Sequence, residues 1–347
     1  MIVEERLLLE KLKEELELDL MQGSASEESK AKRKSNFDRF VEFGFPSRKD
    51  EAWKYFNMES LIPYVGNSST NCLDVQKIED FIIPECVNNN LIFQDGKLVQ
   101  SIIKNSFLQH AATSTNKLQE EEINKLDALR SLNRSFIEEE NIFEITNSEK
   151  LPLQILLYAS KFHAQFNKFI VQENTEAELI LDFRDSEEQK NLSNIINKFE
   201  IKENAHLKLN FLQRGSKNNL RFAESCFKLK RNASVKINYL AFDKNISRHS
   251  FQFDLEEEGS NAEINGLYAL KGNVKCHTLV EVNHLVPNCS SKQFFKGLLK
   301  DSSYAEFTGA VNVSKYANGT SADQLCKNLL LSKSASVDMR PQLEIDA

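Results

Sequence analysis

The sequence predicts a mainly β protein whose core is a β-helix-like solenoid, preceded by an N-terminal region of helical and mixed character. From about residue 153 onward, short segments of alternating polar and apolar residues follow one another with no helical pattern between them, which is typical of an all-β body. Nearly every segment ends in a polar turn with Asn, Gly or Ser, and a repeat is visible. We therefore divide the chain into 1–150, the N-terminal helical and mixed region, and 151–347, the solenoid core.

The repeat is marked by alanines at positions 177, 205, 233 and 262, which are separated by 28, 28 and 29 residues. Asparagine precedes three of them, as Asn204, Asn232 and Asn261. Such a period is typical of stacked repeats, because one two-strand unit has too little apolar surface to hold itself together. Asparagine suits the corners since it tolerates the left-handed backbone conformation. Residues such as Leu207 and Val235 are then expected to line up inside the stack; a β-sandwich with coincidental spacing is the alternative.

Helical patterns dominate the first 150 residues. Apolar residues recur at helical spacing over 4–20 and 118–140, and 35–41 is a shorter candidate helix,. The polar stretch 22–36 is interpreted as a mobile connection or a frayed helix end. Residues 91–100 are typical of a hairpin with an Asp-Gly turn,.

Charge and hydrophobicity argue against two classes of partner. The formal net charge of −7 is unfavourable for general nucleic-acid binding, which depends on Lys and Arg at the phosphates,. The longest apolar runs, such as 155–158 and 329–331, are far shorter than the roughly 20 residues that a membrane-spanning helix needs,. The N-terminus is acidic and evenly charged, unlike a secretory signal. We therefore expect a cytoplasmic protein with no nucleic-acid or membrane partner.

Motifs of known enzymes are missing from the sequence. It contains no phosphate-binding G-x-x-x-x-G-K-[ST] loop, no G-x-G-x-x-G, no G-x-S-x-G and no H-E-x-x-H,. The acidic run 256–258 is interpreted as a solvated surface. The sole tryptophan, Trp53, is expected to anchor the N-terminal segment on the body. The sequence thus predicts a protein that is not an enzyme and has no catalytic residues.

The six cysteines show no C-x-x-C spacing, which argues against a zinc knuckle or a ferredoxin-type cluster,. One group of soft ligands remains: Cys276, His277, His284 and Cys289,. Adjacent residues of a strand point to opposite faces, so Cys276 and His277 cannot serve one site. His284 and Cys289 are the remaining weak candidates for metal ligands. The alternative is a corner histidine hydrogen-bonded to the backbone and a buried thiol.

Two stretches resemble the SufD proteins of the SufB/SufD family of iron–sulfur cluster assembly. The first, 44–61, contains Pro-Ser-Arg-Lys followed by Glu-Ala-Trp-Lys-Tyr. The second, 280–347, is longer and resembles the family's core. It matches at His284, Cys289-Ser290-Ser291, Gln293, Lys296-Gly297, Phe307, Gly309, Asp323, Asn328, Ser332, Pro341 and Leu343-Glu344-Ile345.

The resemblance implies a right-handed parallel β-helix and a scaffold role in the SUF system. It implies pairing with SufB through the β-helix end, and with the ATPase SufC through a C-terminal helical domain. It also implies that no cofactor is bound stably by this chain alone, while an iron–sulfur cluster is held transiently in the SufB–SufD complex. A SufB-like scaffold, an exported β-helix enzyme acting on carbohydrates, and a plain structural interaction protein are the alternatives.

The resemblance also predicts an incomplete C-terminal end. In the family, the strand that matches 343–345 continues through an Asp-Asp-x-x-Cys-x-His-Gly segment into the SufC-binding domain, whereas this sequence stops at Ala347. We therefore expect weak or no SufC binding by this chain and a frayed, aggregation-prone last coil.

Overall fold

The structure is a computed structural model that describes residues 3–23, 25–47, 49, 53–54, 56, 58–65, 80–104, 107–114, 128–242 and 244–346. These residues form three α-helices, α1 (Val3–Gln22), α2 (Glu27–Phe43) and α3 (Ala128–Phe136), and two short 3-10 helices, Met58–Tyr64 and Pro84–Cys86. They also form eighteen strands: β1 (Asn89–Gln94), β2 (Lys97–Ile103), β3 (Leu108–Ser114), β4 (Glu139–Ile145), β5 (Leu153–Ala159), β6 (His163–Val171), β7 (Glu176–Asp185), β8 (Asn191–Ile201), β9 (His206–Gln213), β10 (Asn219–Leu229), β11 (Ser234–Ala241), β12 (Ile246–Leu255), β13 (Asn261–Gly272), β14 (Lys275–His284), β15 (Ser290–Asp301), β16 (Tyr304–Val313), β17 (Ser321–Leu330) and β18 (Ser336–Ile345).

The strands build a parallel β-solenoid from two nine-stranded sheets. One sheet has the order β17-β15-β13-β11-β9-β7-β5-β1-β2, and the other β18-β16-β14-β12-β10-β8-β6-β4-β3. From β5 onward, the chain places one strand in each sheet per coil, so every strand pairs in parallel with the strand two positions away. The antiparallel hairpins β1–β2 and β3–β4 close the N-terminal end of the stack. The predicted mainly β solenoid with N-terminal helices is confirmed.

The N-terminal predictions are partly correct. The helix expected over 4–20 is α1, and the hairpin expected over 91–100 is β1–β2, with Asp95 and Gly96 at positive φ in the turn. The interpretation of 22–36 as a mobile connection or a frayed helix end is wrong, because α2 begins at Glu27 and also contains the candidate helix 35–41. The Ser26 hydroxyl caps α2 by accepting a hydrogen bond from the backbone N–H of Ser29 at 3.2 Å,.

The helix predicted over 118–140 ends earlier than expected. Residues 118–127 lie outside the described part of the chain, α3 ends at Phe136, and Glu139 already begins β4. β4 pairs with β6, so joining the sheet overrides the local helical pattern. Strands β1 and β4 also belong to the two sheets, while the division of the chain at residue 150 stays a prediction.

The core consists of columns of like side chains. Phe143, Phe169, Phe199, Phe227 and Phe253 stack in register with ring centroids 4.7, 4.6, 4.5 and 4.8 Å apart and interplanar angles of 12° or less. These separations equal the distance between neighbouring strands, because parallel in-register pairing places each ring directly on the next. The predicted alignment of the inward residues of β9 and β11 is confirmed as well, and all are buried: Leu207 with Val235, Leu209 with Ile237, and Phe211 with Tyr239.

Corner asparagines form a second column on the outside. Asn174, Asn204 and Asn232 all have positive φ, and each amide donates to the oxygen of the previous one, at 3.2 and 3.1 Å. The predicted role of Asn261 is wrong, because it starts β13 and Gly259 takes the left-handed position of that coil. In-register positions of successive coils lie 26 to 32 residues apart, which the alanine spacing alone does not reveal.

Removing one ring from the phenylalanine column should destabilise the whole stack. We expect Phe199→Ala to lower the free energy of unfolding by about 3–5 kcal/mol, because it leaves a cavity between two stacked rings. The exposed residue Phe242 is the control, and Phe242→Ala should change the free energy of unfolding by less than about 0.5 kcal/mol. Urea unfolding followed by far-UV circular dichroism measures both, and equal effects would contradict the stacked core.

Candidate functional site

The first two candidate ligands, Cys276 and His277, lie on opposite faces of β14. Cys276 belongs to the interior core cluster, whereas His277 lies on the outer face with its ring 5.4 Å from that of Phe56. The His277 Nδ1 atom is 2.7 Å from Glu306 Oε2, and both side chains are almost fully buried. The structure therefore does not bring the two together, as strand geometry predicts.

His284 is the last residue of β14 and points into the stack. It is flanked in register by Leu255 and Val313, so an imidazole interrupts an aliphatic column. Its Nε2 atom is 2.9 Å from Ser291 Oγ, and Nδ1 has no hydrogen-bond partner among the described residues. Burial lowers the pKa of His284 to about 4,. The ring is therefore neutral at pH 7 and bonds a hydroxyl group, not the backbone acceptor that was considered.

Cys289 occupies a corner and packs as a small side chain. Backbone hydrogen bonds between coils align it with Thr175, Ala205, Ala233 and Ser260, all buried small residues. Its Sγ atom accepts from Ser260 Oγ at 3.2 Å and lies 3.4 Å from the carbonyl oxygen of the residue two positions earlier. This is the environment of a structural thiol.

No group of three or more His, Cys, Asp or Glu side chains suited to a metal ion occurs in the part of the chain that the structure describes. His284 and Cys289 each have their own polar neighbours, given above. Their role as ligands stays a prediction.

The solenoid interior also contains a chain of polar side chains that the sequence reasoning missed. Asn141 donates to Asn167 at 3.3 Å, Asn167 donates to Asn197 at 2.9 Å, and Asn197 donates to Ser225 at 3.4 Å. Ser225 Oγ then lies 3.0 Å from His249 Nε2. These residues share the inward parity of the phenylalanines two positions later, which is the signal that could have revealed them.

Beyond His249 the polar chain ends in a buried ion pair. Gln213 uses its oxygen to accept from Arg221, so its amide nitrogen donates to His249 Nδ1 at 3.0 Å. Arg221 pairs with Asp185 at 3.0 Å. Burial raises the pKa of Asp185, with Arg221 opposing it, and burial together with the Arg221 charge lowers the pKa of His249 well below its usual value. The histidine is therefore a neutral link between the Gln213 amide and the Ser225 hydroxyl,.

A cleft of about 210 Å³ lies on the outer face of the second sheet, between α3 and the N-terminal segment. Trp53 forms one wall, where its ring packs against Phe222 and lies 4.0 Å from the Arg248 guanidinium. Arg130 of α3 donates to Glu224 at 2.8 Å on the other side. The predicted role of Trp53 as an anchor on the body is confirmed.

Strands β17 and β18 form the last coil that the structure describes. Leu343 and Ile345 of β18 are 64% and 60% exposed, whereas their in-register neighbours Val311 and Val313 are 3% and 8% exposed. The inner face of this last coil contains two sulfur atoms that contact one amide. The Asn328 amide contacts Met339 Sδ at 2.9 Å and Cys326 Sγ at 3.4 Å, and Tyr268 donates to the Asn328 oxygen.

Taken together, these features define a protein built on a parallel β-solenoid. None of the described helices is long and apolar enough to cross a membrane. Residues 157–347 match the family model described as SUF system FeS cluster assembly, SufBD core domain. Since the match covers more than half of the sequence, the chain belongs to the SufB/SufD family of iron–sulfur cluster assembly proteins, as its resemblance predicted.

Individual relatives agree with the family. Over 327 residues the chain is 24% identical to the iron–sulfur cluster assembly protein SufD of Escherichia coli, an alignment that covers 90% of this chain and 76% of that protein. Identity to an iron–sulfur cluster assembly SufBD family protein of Synechocystis is 24% over 348 residues, which covers 91% and 76%. A SufBD family protein of Mycobacterium tuberculosis is 30% identical over 95 residues, covering 25% and 24%.

The buried imidazole of His284 should make stability depend on pH. Its folded-state pKa of about 4 lies below the usual 6.5, so the stability that it contributes is complete above pH 6.5 and is lost as the pH falls toward 4. We expect His284→Gln to flatten the pH dependence over this window by on the order of 1–3 kcal/mol. Urea unfolding of the wild type and of the His284→Gln variant at a series of pH values measures this dependence. Parallel curves for the two proteins would contradict the buried neutral ring.

Proposed function

We propose that this chain is a non-catalytic assembly subunit of the SUF machinery, which pairs with SufB through the end of its β-helix and works with the ATPase SufC. The iron–sulfur cluster is its cargo, held transiently in the complex with SufB and not stably by this chain alone. The proposal includes a cytoplasmic location and no nucleic-acid or membrane partner. It goes one step beyond the family membership, which concerns iron–sulfur cluster assembly in general.

The observation that carries the proposal is the match of residues 157–347 to the SufBD core domain, together with the parallel β-solenoid that those residues form. The last described coil offers a candidate contact surface, because Leu343 and Ile345 are exposed there although their in-register neighbours are buried. Contiguous exposed apolar residues are typical of a surface that another polypeptide segment covers. The outer backbone edges of β17 and β18 have no neighbouring strand among the described residues. A strand of a partner could therefore extend both sheets.

The side chains support a scaffold role more than catalysis. The polar residues of the interior are hydrogen-bonded to one another along the stack. The alternative, an enzyme acting on carbohydrates, needs acidic residues in a groove, but the acidic run 256–258 is partly neutralised. Glu256 and Glu257 pair with Lys230 at 3.0 and 3.4 Å. ATP hydrolysis is assigned to SufC because this sequence has no phosphate-binding loop,. Five cysteines in the described part are thiols outside any disulfide, which favours a reducing compartment: Cys86, Cys226, Cys276, Cys289 and Cys326,.

Co-purification with SufB tests the proposal. Tagged SufB, co-expressed with this chain and SufC, should retain the chain, and Leu343→Asp combined with Ile345→Asp should weaken retention about tenfold or more, because charges would be buried in the interface. The matched control is Leu98→Asp with Val99→Asp, two exposed apolar residues of β2 at the opposite end of the stack. Circular dichroism of each variant checks folding.

Two results would contradict the proposal. One is that SufB fails to retain the folded wild-type chain; the other is that the β2 variant loses SufB as completely as the β18 variant does. A near-400 nm absorption band is expected only for the complex with SufB. Such a band in the isolated chain would contradict the transient role of the cluster.

A further inference from the structure

The outer face of the first sheet carries an ordered pattern of charge near its C-terminal end. Strands β13, β15 and β17 are neighbours there and pair in register. Along β15 the outward residues alternate between apolar and cationic, and the flanking strands repeat much of the alternation. We call this surface the lysine–leucine face; it consists of Lys271, Phe294, Lys296, Leu298, Lys300, Leu325, Lys327 and Leu329.

Lysines lie directly opposite lysines on this face. Lys296 is the Cα partner of Lys327, and Lys271 is the Cα partner of Lys300. Like charges at directly opposite positions destabilise a sheet. All four are exposed, and none of them forms an ion pair with any residue that the structure describes.

Another lysine pair in the same sheet shows the usual compensation. Lys208 and Lys236 are also Cα partners, but Lys208 pairs with Glu178 at 2.8 Å and Lys236 pairs with Glu263 at 3.3 Å. The uncompensated pairs on the lysine–leucine face are therefore a property of that face and not of the sheet as a whole.

Exposed apolar side chains lie between the cationic positions. Leu298 and Leu329 are Cα partners and are 41% and 55% exposed, and Phe294 is paired in the same way with Leu325, which is 44% exposed. The Lys296 ammonium group lies 5.2 Å from the centre of the Phe294 ring. Each ammonium group thus has apolar surface beside it, which favours a ligand that combines negative charge with hydrophobic groups.

Carboxylates bound the face on two sides. Lys292, four residues before Lys296, lies between Glu263 and Asp323 in register, so the charge of that row is balanced. At the other end, Asp301 accepts a hydrogen bond from the Gly272 N–H at 3.2 Å. The unbalanced positive charge is therefore confined to the two lysine pairs, in a protein whose formal net charge is −7.

We propose that the lysine–leucine face binds an acidic segment of a partner protein, with carboxylates at the two lysine pairs and an apolar side chain between them. Residues 296 and 300 are four apart on one strand, so the two cationic rows are separated by about 13 Å with an apolar row midway. An extended polypeptide with acidic residues two positions before and two positions after a leucine-like residue matches this spacing. A single-stranded nucleic acid is less suited to this face, because its bases stack on aromatic side chains and most of the apolar residues here are leucines. An anionic membrane is less suited because it would repel the rest of this acidic chain.

A peptide-binding experiment tests this face apart from SufB. The probe is a fluorescein-labelled synthetic peptide that repeats Glu-Ser-Leu-Ser, which places Glu and Leu alternately on one face of an extended chain with successive Glu residues about 13 Å apart. Its binding to the full chain is followed by fluorescence anisotropy. We expect K296Q/K327Q to weaken binding at least about fivefold, since two charge contacts are lost. The matched control K208Q/K236Q removes the same charge from the compensated pair and should bind like the wild type, as should the β18 variant of the SufB test.

The comparison probes decide between occupants. The same peptide with Lys in place of every Glu should not bind, and added salt should weaken binding of the acidic peptide. Equal losses in K296Q/K327Q and K208Q/K236Q, or no loss in either, would overturn the proposal. So would binding to phosphatidylserine vesicles that exceeds peptide binding and disappears in K296Q/K327Q, or self-association in sedimentation velocity that this variant abolishes, because the occupant would then be a membrane or a second copy.

Discussion

Parallel in-register strand pairing is the constraint on which the rest of this structure depends. Each coil adds one strand to each of the two sheets. Every side chain therefore lies next to the residue at the equivalent position of the preceding coil, at the strand separation of about 4.8 Å. The stacked phenylalanine rings, the linked corner amides and the opposed lysines all follow from this geometry. Pairing makes no distinction between a favourable neighbour such as Phe199 on Phe227 and an unfavourable one such as Lys296 beside Lys327. A residue's contribution therefore depends on what the same position holds one coil away.

The same constraint explains how polar groups are accommodated inside the stack. An isolated buried amide is costly, but Asn167 lies between Asn141 and Asn197, and each provides the partner that the other needs. The chain of amides continues through His249 to the Arg221–Asp185 pair, where two opposite charges compensate each other. Such a network is stabilising only when every member is present, because a single truncation leaves the neighbour without a partner.

Individual residues show where sequence reasoning succeeds and where it stops. Alternation predicted that Cys276 and His277 face opposite ways, since strand parity is a local property. The alanine spacing, in contrast, aligned Ala177 with Ala205, whereas the structure pairs Ala177 with Leu207. Coils of unequal length shift the register by two residues without changing parity. For the same reason, the sequence did not reveal that Cys289 belongs to a column of small residues. Its thiol was therefore considered as a metal ligand, whereas the structure places it beside the Ser260 hydroxyl.

The sequence by itself determined the fold class, the corner asparagines Asn204 and Asn232, the family and the missing enzyme motifs, because these depend on local alternation, turn chemistry and contiguous residues. Only the tertiary structure decided which residues share a column: that His284 lies among aliphatic side chains, that Leu343 is exposed while Val311 is buried, and that Lys271 faces Lys300. These outcomes join residues about thirty positions apart. Their register is set by the lengths of intervening turns and by the packing of whole coils, and no short window of sequence contains that information.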